Sequence, residues 1–197
     1  MDDPNKIVLP KFDSSIFDGS RKIGSKPEEI IAEIGIMKDE VVADFGCGVG
    51  YFVLEVARII GDNGKIYAVD LDQKVLDSLK SKALESGMKN IYGILANLET
   101  PGSTKIPDNS CDVVLIINLL YLIEKKKEVL GEAYRILKTS GKMVIMDWSH
   151  KMGASILNKE DHVNVREVRD ISRAIGFRFL KSFEAGISHE INIYIRG

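Results

Sequence analysis

Apolar residues along this chain follow two rhythms. In some segments they form short unbroken runs, and in others they recur every three or four positions. The runs predict strands buried on both faces, and the wider spacing predicts helices with one apolar side. Ser25-Lys26-Pro27-Glu28 has the signature of a helix start, with a serine cap, a glutamate three residues on and a proline in the first turn. That helix would bury Ile30, Ile31 and Ile34 and end near Gly35. Strands are predicted at Val41–Phe45, 66–69, Ile91–Leu95, 112–118 and 142–147. Helices between them are predicted at Tyr51–Ile60, 73–86 and 124–137, with turns at Asn63-Gly64 and Ser140-Gly141. A further helix, 164–175, opens with an Asn-x-x-Glu cap. Strands 177–183 and 187–195 close the sequence. Only Glu184-Ala185-Gly186 joins them, too short for a crossover and suited to an antiparallel hairpin. Strands alternating with helices predict an α/β protein with a doubly wound sheet of seven strands, mostly parallel, with one antiparallel C-terminal strand. This domain spans 26–197. Residues 1–25 are polar and irregular and read in two ways, as a frayed end or, through Phe12, Phe17 and Arg21, as a lid over a site at the strand ends.

Composition narrows the functional classes. The 197 residues are 45% hydrophobic and 28% charged, ordinary values for a globular chain. With 27 basic and 29 acidic side chains the net charge is −2, which gives no electrostatic reason to expect a nucleic acid or an anionic membrane as partner. The start, MDDPNKIVLPKF, lacks the basic-then-apolar pattern of a signal peptide, and the longest apolar run, Val113 to Ile117, cannot cross a bilayer. Cys47 and Cys111 sit beside sheet-forming residues and read as reduced thiols, which suggests a cytoplasmic location. His150, His162 and His189 have no metal-ligand spacing, so no metal is expected.

The informative segment is Asp44-Phe45-Gly46-Cys47-Gly48-Val49-Gly50, between the first strand and its helix. Ligands of open α/β sheets bind beyond the carboxyl ends of the strands, and glycines there let the backbone approach a ligand closely. A tight turn that binds nothing is the plainest reading, but three glycines at alternate positions exceed what a turn requires. A dinucleotide site would need a further glycine where Tyr51 stands. The Asp44 carboxylate also repels a pyrophosphate and suits an ammonium or sulfonium charge. A cationic nucleoside is therefore favoured over NAD. Asp70 ends the second strand twenty residues beyond Gly50, where a carboxylate can accept both hydroxyls of a ribose; it could alternatively cap the helix that follows. Leu71 could lie against an adenine face.

These residues, followed by Ile106-Pro107-Asp108-Asn109-Ser110-Cys111-Asp112-Val113-Val114 and by Arg135-Ile136-Leu137-Lys138-Thr139-Ser140-Gly141-Lys142, resemble the motif series of class I S-adenosylmethionine-dependent methyltransferases. The similarity is greatest to the small-molecule type found in ubiquinone and menaquinone biosynthesis. It implies a Rossmann-like fold, with S-adenosylmethionine as cofactor and S-adenosylhomocysteine as product. It implies that Asp44, Gly46, Gly48, Gly50 and Tyr51 surround the methionine and ribose side, that Asp70 binds the ribose hydroxyls and that Leu71 packs on adenine. Asn97, with Leu98 beside it, stands where the family commonly has an aspartate that meets the adenine amino group. Asn118 ends the fourth strand, facing the methionine end. Cys111 replaces a usual phenylalanine, and Thr100–Lys105 is a long insertion expected to reshape only a surface loop.

Methyl transfer from a sulfonium is an in-line displacement in which the protein chiefly orients the acceptor, and a base is required only where the acceptor must lose a proton. No catalytic signature is therefore obligatory. Acceptor-side candidates are Tyr121 after the fourth strand and Asp147 and His150 around the end of the fifth. Each has a structural alternative, as a packing residue or a surface-loop side chain. Asn118-Leu119-Leu120-Tyr121 lacks the prolines of enzymes that methylate nucleic-acid amines, which favours a small-molecule acceptor. A non-catalytic S-adenosylmethionine-binding module and a protein-lysine methyltransferase are the rival readings. The oligomeric state has no signature in the sequence.

Overall fold

In the computed structural model, described here for residues 26–148, 163–186 and 189–197, the apolar runs become β1 (Val41–Phe45), β2 (Lys65–Asp70), β3 (Ile91–Leu95), β4 (Cys111–Ile117) and β5 (Leu137–Trp148). These five pair in parallel in the order β3-β2-β1-β4-β5. The expected N-terminal lid and His150 lie outside the described residues. Helices α1 (Pro27–Ile34), α2 (Tyr51–Ile60) and α3 (Gln73–Glu85) cover one face of the sheet, and α4 (Lys126–Ile136) and α5 (Val165–Ile175) cover the other. The predicted apolar face of α2 is buried in full, through Phe52, Val53, Val56, Ala57 and Ile60. Burying a side chain the size of valine or phenylalanine contributes roughly 1.5–3 kcal/mol, so α2 is held by its packing more than by its helix propensity. The observed start of α1 is capped at Lys26, whose amide donates to Glu29 Oε2 at 3.3 Å, in place of the predicted cap on Ser25.

The C-terminal strands β6 (Phe177–Ala185) and β7 (His189–Arg196) pair antiparallel, as the short join requires. β7 also pairs antiparallel with β5, so it lies between β5 and β6, and β6 forms the sheet edge. The strand running against the rest is thus next to last in the sheet. The Ser140-Gly141 turn survives only as a bulge. β5 starts at Leu137, the register against β4 shifts between Cys111 and Val113, and Ser140 takes a left-handed φ of 65° before regular pairing resumes at Lys142. α4 begins at Lys126, after a single 3-10 turn at Leu120–Leu122.

The insertion Thr100–Lys105 is more than a surface loop. Thr104 is buried and donates its hydroxyl to Glu132 of α4, while the amide of Gly102 donates to the other carboxylate oxygen at 3.1 Å. Arg135 donates to both oxygens of Glu132, at 3.0 and 2.8 Å, and also to the carbonyl of Ile106 and to Asp108. Burial raises the Glu132 pKa, but the bonds from Arg135, Thr104 and Gly102 outweigh it and hold the carboxyl below its ordinary value. A carboxyl lowered in the folded state contributes stability above its unfolded pKa and loses it as pH falls. Glu132→Ala should therefore cost roughly 2–3 kcal/mol at neutral pH, by urea denaturation, because it orphans three buried or half-buried donors. That difference from wild type should shrink as the pH is lowered through 4 and below.

Candidate active site

The glycine loop leaves β1 at the point where the chain order of the sheet reverses. β1 pairs with β2 on one side and β4 on the other, which opens a crevice at the carboxyl ends of these strands. The amides of Gly46 and Cys47 both donate to the carbonyl of Val69, at 2.8 and 3.0 Å, tying the loop to the end of β2. Lys82 of α3 reaches across to the carbonyl of Val49 at 2.9 Å. The loop is therefore held from both sides before any ligand arrives.

Its glycines have different reasons for lacking a side chain. A Cβ on Gly50 would lie 2.4 Å from Leu79 Cδ1, a core side chain, at a left-handed φ of +86°. A Cβ on Gly48, also left-handed at +51°, would meet nothing within 4 Å. Gly50 is required by packing, whereas Gly48 faces open space, as a backbone that admits a ligand should.

Two carboxylates flank the loop. Asp44 is 3% exposed, meets no hydrogen-bond donor among the described residues, and has its pKa raised to about 8 by burial and, secondarily, by the nearby charge of Asp70. Asp70 Oδ2 accepts the amide of Gly48 and Oδ1 accepts that of Asp72, both at 3.0 Å. The helix-cap alternative for Asp70 is resolved, since the cap of α3 is Asp72, which accepts from the amide of Lys74 at 2.8 Å. One amide on each oxygen of Asp70 leaves further lone pairs on both, enough to accept two hydroxyls. Burial, followed by Asp44 and Asp70, pushes the Cys47 thiol far up, so it stays protonated and unreactive.

The remaining predicted residues divide between the crevice and the core. Tyr51 is the first residue of α2, half-buried, with its ring edge-on to Phe52 at 5.4 Å. Leu71 is 40% exposed at the end of β2, and Leu95 and Val49, which sequence reasoning missed, are 55% and 47% exposed nearby in the chain order of the sheet. Asn97 turns its Oδ1 onto the amide of Glu99 at 2.9 Å, which leaves one lone pair of that oxygen and the amino group for a ligand. The side chain of Leu98 is buried in the core beneath α4. Tyr121 packs part-buried on that same core. Asp147 is buried and lines a small cavity under α5 with Ile145, Val168, Glu190, Asn192 and Tyr194. Its strand neighbour Met146 belongs to the core on the α1–α3 face, as does Leu115, which stands opposite Asp44. Alternation along the strand therefore puts Asp147 and Asp44 on opposite faces of the sheet.

Asn118, just after β4, takes a left-handed φ of 49°, and its amide donates to the carbonyl of Met146 at 2.8 Å. Its Oδ1 lies 3.0 Å from Nε2 of His189, the first residue of β7. His189 was not singled out from sequence. The only signal was its alternation with Ile191 and Ile193, which puts a histidine on the buried face at the site end of a strand. Among the described residues no three His, Cys, Asp or Glu side chains group to hold a metal, and no helix is long and apolar enough to cross a membrane.

A doubly wound sheet with an acid-flanked glycine loop at its switch point defines a nucleoside-binding α/β protein. A family model described as a methyltransferase domain matches residues 36–183. The chain belongs to that family and is an S-adenosylmethionine-dependent methyltransferase. It is 26% identical over 142 residues to the probable cobalt-precorrin-6B C(15)-methyltransferase (decarboxylating) of Saccharolobus solfataricus, covering 70% of this chain and 69% of that one. It is 27% identical over 116 residues to a ubiquinone/menaquinone biosynthesis C-methyltransferase of Escherichia fergusonii, covering 58% of this chain but only 45% of that one. The crystal structure of a SAM-dependent methyltransferase from Aquifex aeolicus superposes with a TM-score of 0.83 over 95% of this chain and 100% of that one; at 24% identity it speaks to the fold alone.

The two loop glycines can be separated by experiment. Gly50→Ala should destabilise the fold by more than the roughly 1–2 kcal/mol of left-handed strain, because the leucine core must also shift. Gly48→Ala should cost only the strain. Denaturant midpoints of the two variants, measured side by side, check the difference.

Proposed function

We propose that the chain transfers the methyl group of S-adenosylmethionine to a small-molecule acceptor at the carboxyl edge of β1, β2 and β4, in the cytoplasm. One observation carries the reading: two carboxylates, Asp44 and Asp70, flank a glycine loop whose Gly48 opens onto space. Asp44 supplies negative charge for the cationic part of the cofactor. Asp70 takes the ribose hydroxyls on the lone pairs its backbone partners leave unused. Leu71, with Leu95 and Val49, offers apolar surface for the adenine, and the amino group of Asn97 can donate to a ring nitrogen. Gly46, Gly50 and Tyr51 shape the loop, and Leu98 contributes its backbone. When bound, the cofactor supplies an already activated methyl group. The protein's part is to orient the acceptor and exclude water. The names of both curated relatives, methyltransferases of small biosynthetic intermediates, support a small acceptor for this chain, as does a net charge near zero.

Calorimetry should show S-adenosylmethionine and S-adenosylhomocysteine binding in the micromolar range and no NAD binding. Asp70→Ala should weaken both strongly, and equal affinity in variant and wild type would refute the ribose assignment. Incubation with labelled donor and a metabolite extract should yield a donor-dependent methylated product.

The raised pKa of Asp44 adds a pH test. Below about pH 8 the free carboxyl is largely protonated, while a bound cation favours its ionised form. Binding must then release a proton. Affinity for the cofactor should rise with pH between 6 and 8 and level off above, with the heat of binding changing between buffers of different ionisation enthalpy. Asp44→Asn should abolish that pH dependence.

A further inference from the structure

The hydrogen bond between Asn118 and His189 joins residues 71 positions apart across the width of β5. Asn118 stands at the switch-point crevice. β4 pairs with β1 up to Phe45 opposite Ile116, and the next residue after Asn118, Leu119, packs so closely on the glycine loop that a Cβ on Gly46 would lie 2.8 Å from it. His189 is 1% exposed, on the same sheet face as Met146 and Ile191. A polar side chain so buried is retained at a cost unless it satisfies a specific partner. Here the partner is a side-chain amide on a left-handed backbone, a conformation asparagine adopts more readily than other side-chain-bearing residues.

We propose that His189 is a positioning residue, whose Nε2–H fixes the Asn118 side chain so that its amino group faces the crevice and donates to the carboxylate of the ligand's amino-acid portion. The proposal rests on the cofactor reading above. An amide has one acceptor and one donor end. With Oδ1 committed to β7, on the far side of β4 from the glycine loop, the NH2 end is the one left towards β1. A free amide could rotate and present its oxygen instead, which would repel a carboxylate. The imidazole remains neutral at physiological pH, because burial lowers its pKa to about 4, and so one of its nitrogens carries the single proton that the bond needs.

The test separates this role from simple packing. His189→Phe keeps an aromatic ring but removes the donor, whereas His189→Gln can keep a donor for Asn118. S-adenosylhomocysteine should bind the phenylalanine variant about tenfold more weakly, the value of one hydrogen bond. It should bind the glutamine variant within about threefold of wild type. Methylthioadenosine has the same nucleoside thioether without the amino-acid portion, and its affinity should be unchanged in both. Unchanged S-adenosylhomocysteine affinity in His189→Phe, or equal losses for the two ligands, would overturn the proposal. Should His189→Phe fail to fold, long-range proton–nitrogen spectra of the wild-type imidazole decide. An Nε2–H tautomer supports the assignment and an Nδ1–H tautomer defeats it. Absence of binding by the wild-type protein would instead defeat the cofactor reading, and the spectra would still report on the pair.

Discussion

The architecture is organised around an electrostatic cost. Adjacent parallel strands carry carboxylates at or beside their carboxyl ends, Asp44 next to last on β1 and Asp70 last on β2, and the first is almost wholly buried. Removing a carboxylate from water beside another of like charge is unfavourable, and the protein meets that cost in two ways. Asp70 is satisfied by amides of Gly48 and Asp72. Asp44 meets no such donor among the described residues, and burial favours its protonated form instead. The loop, its tether to Val69 and the Lys82 strut are the means of keeping these two groups in place.

The reversal of strand order gives that pair its setting. Connections run from β1 outward through β2 to β3, then return across the sheet to β4 and β5, so the chain leaves β1 and β4 in opposite directions along the sheet. The glycine loop forms one wall and Asn118-Leu119 the other, touching at Gly46. The crevice is thus shaped by topology, and its chemistry depends on what each strand carries around its carboxyl end.

Much of this was legible in the chain. Unbroken apolar runs located the parallel strands because a strand covered by helices on both faces has no polar side. The loop and Asp70 were legible because backbone approach and ribose binding demand particular residue types at particular places. What escaped was set by pairing between distant segments. Nothing local says that β7 inserts beside β5, so His189 could not be matched to Asn118. Thr104 read as loop because its partner Glu132 lies on a helix 28 residues away. Asp147 illustrates a subtler gap. Its place at the end of a strand was read correctly, but alternation turns it under α5, and which face carries the loop chemistry is decided only when the helices settle.

The position of β7 also bears on the order in which the chain assembles. β1 to β5 can pair as they leave the ribosome, each docking beside a strand already made. β6 cannot join them, because the place next to β5 is reserved for a strand that has not yet been synthesised. The C-terminal hairpin must wait, and it completes the sheet by sliding β7 into the gap with β6 attached. His189 arrives with that strand. The side chain that meets Asn118 is therefore among the last to be delivered, and the crevice acquires its final hydrogen bond only when the sheet is whole.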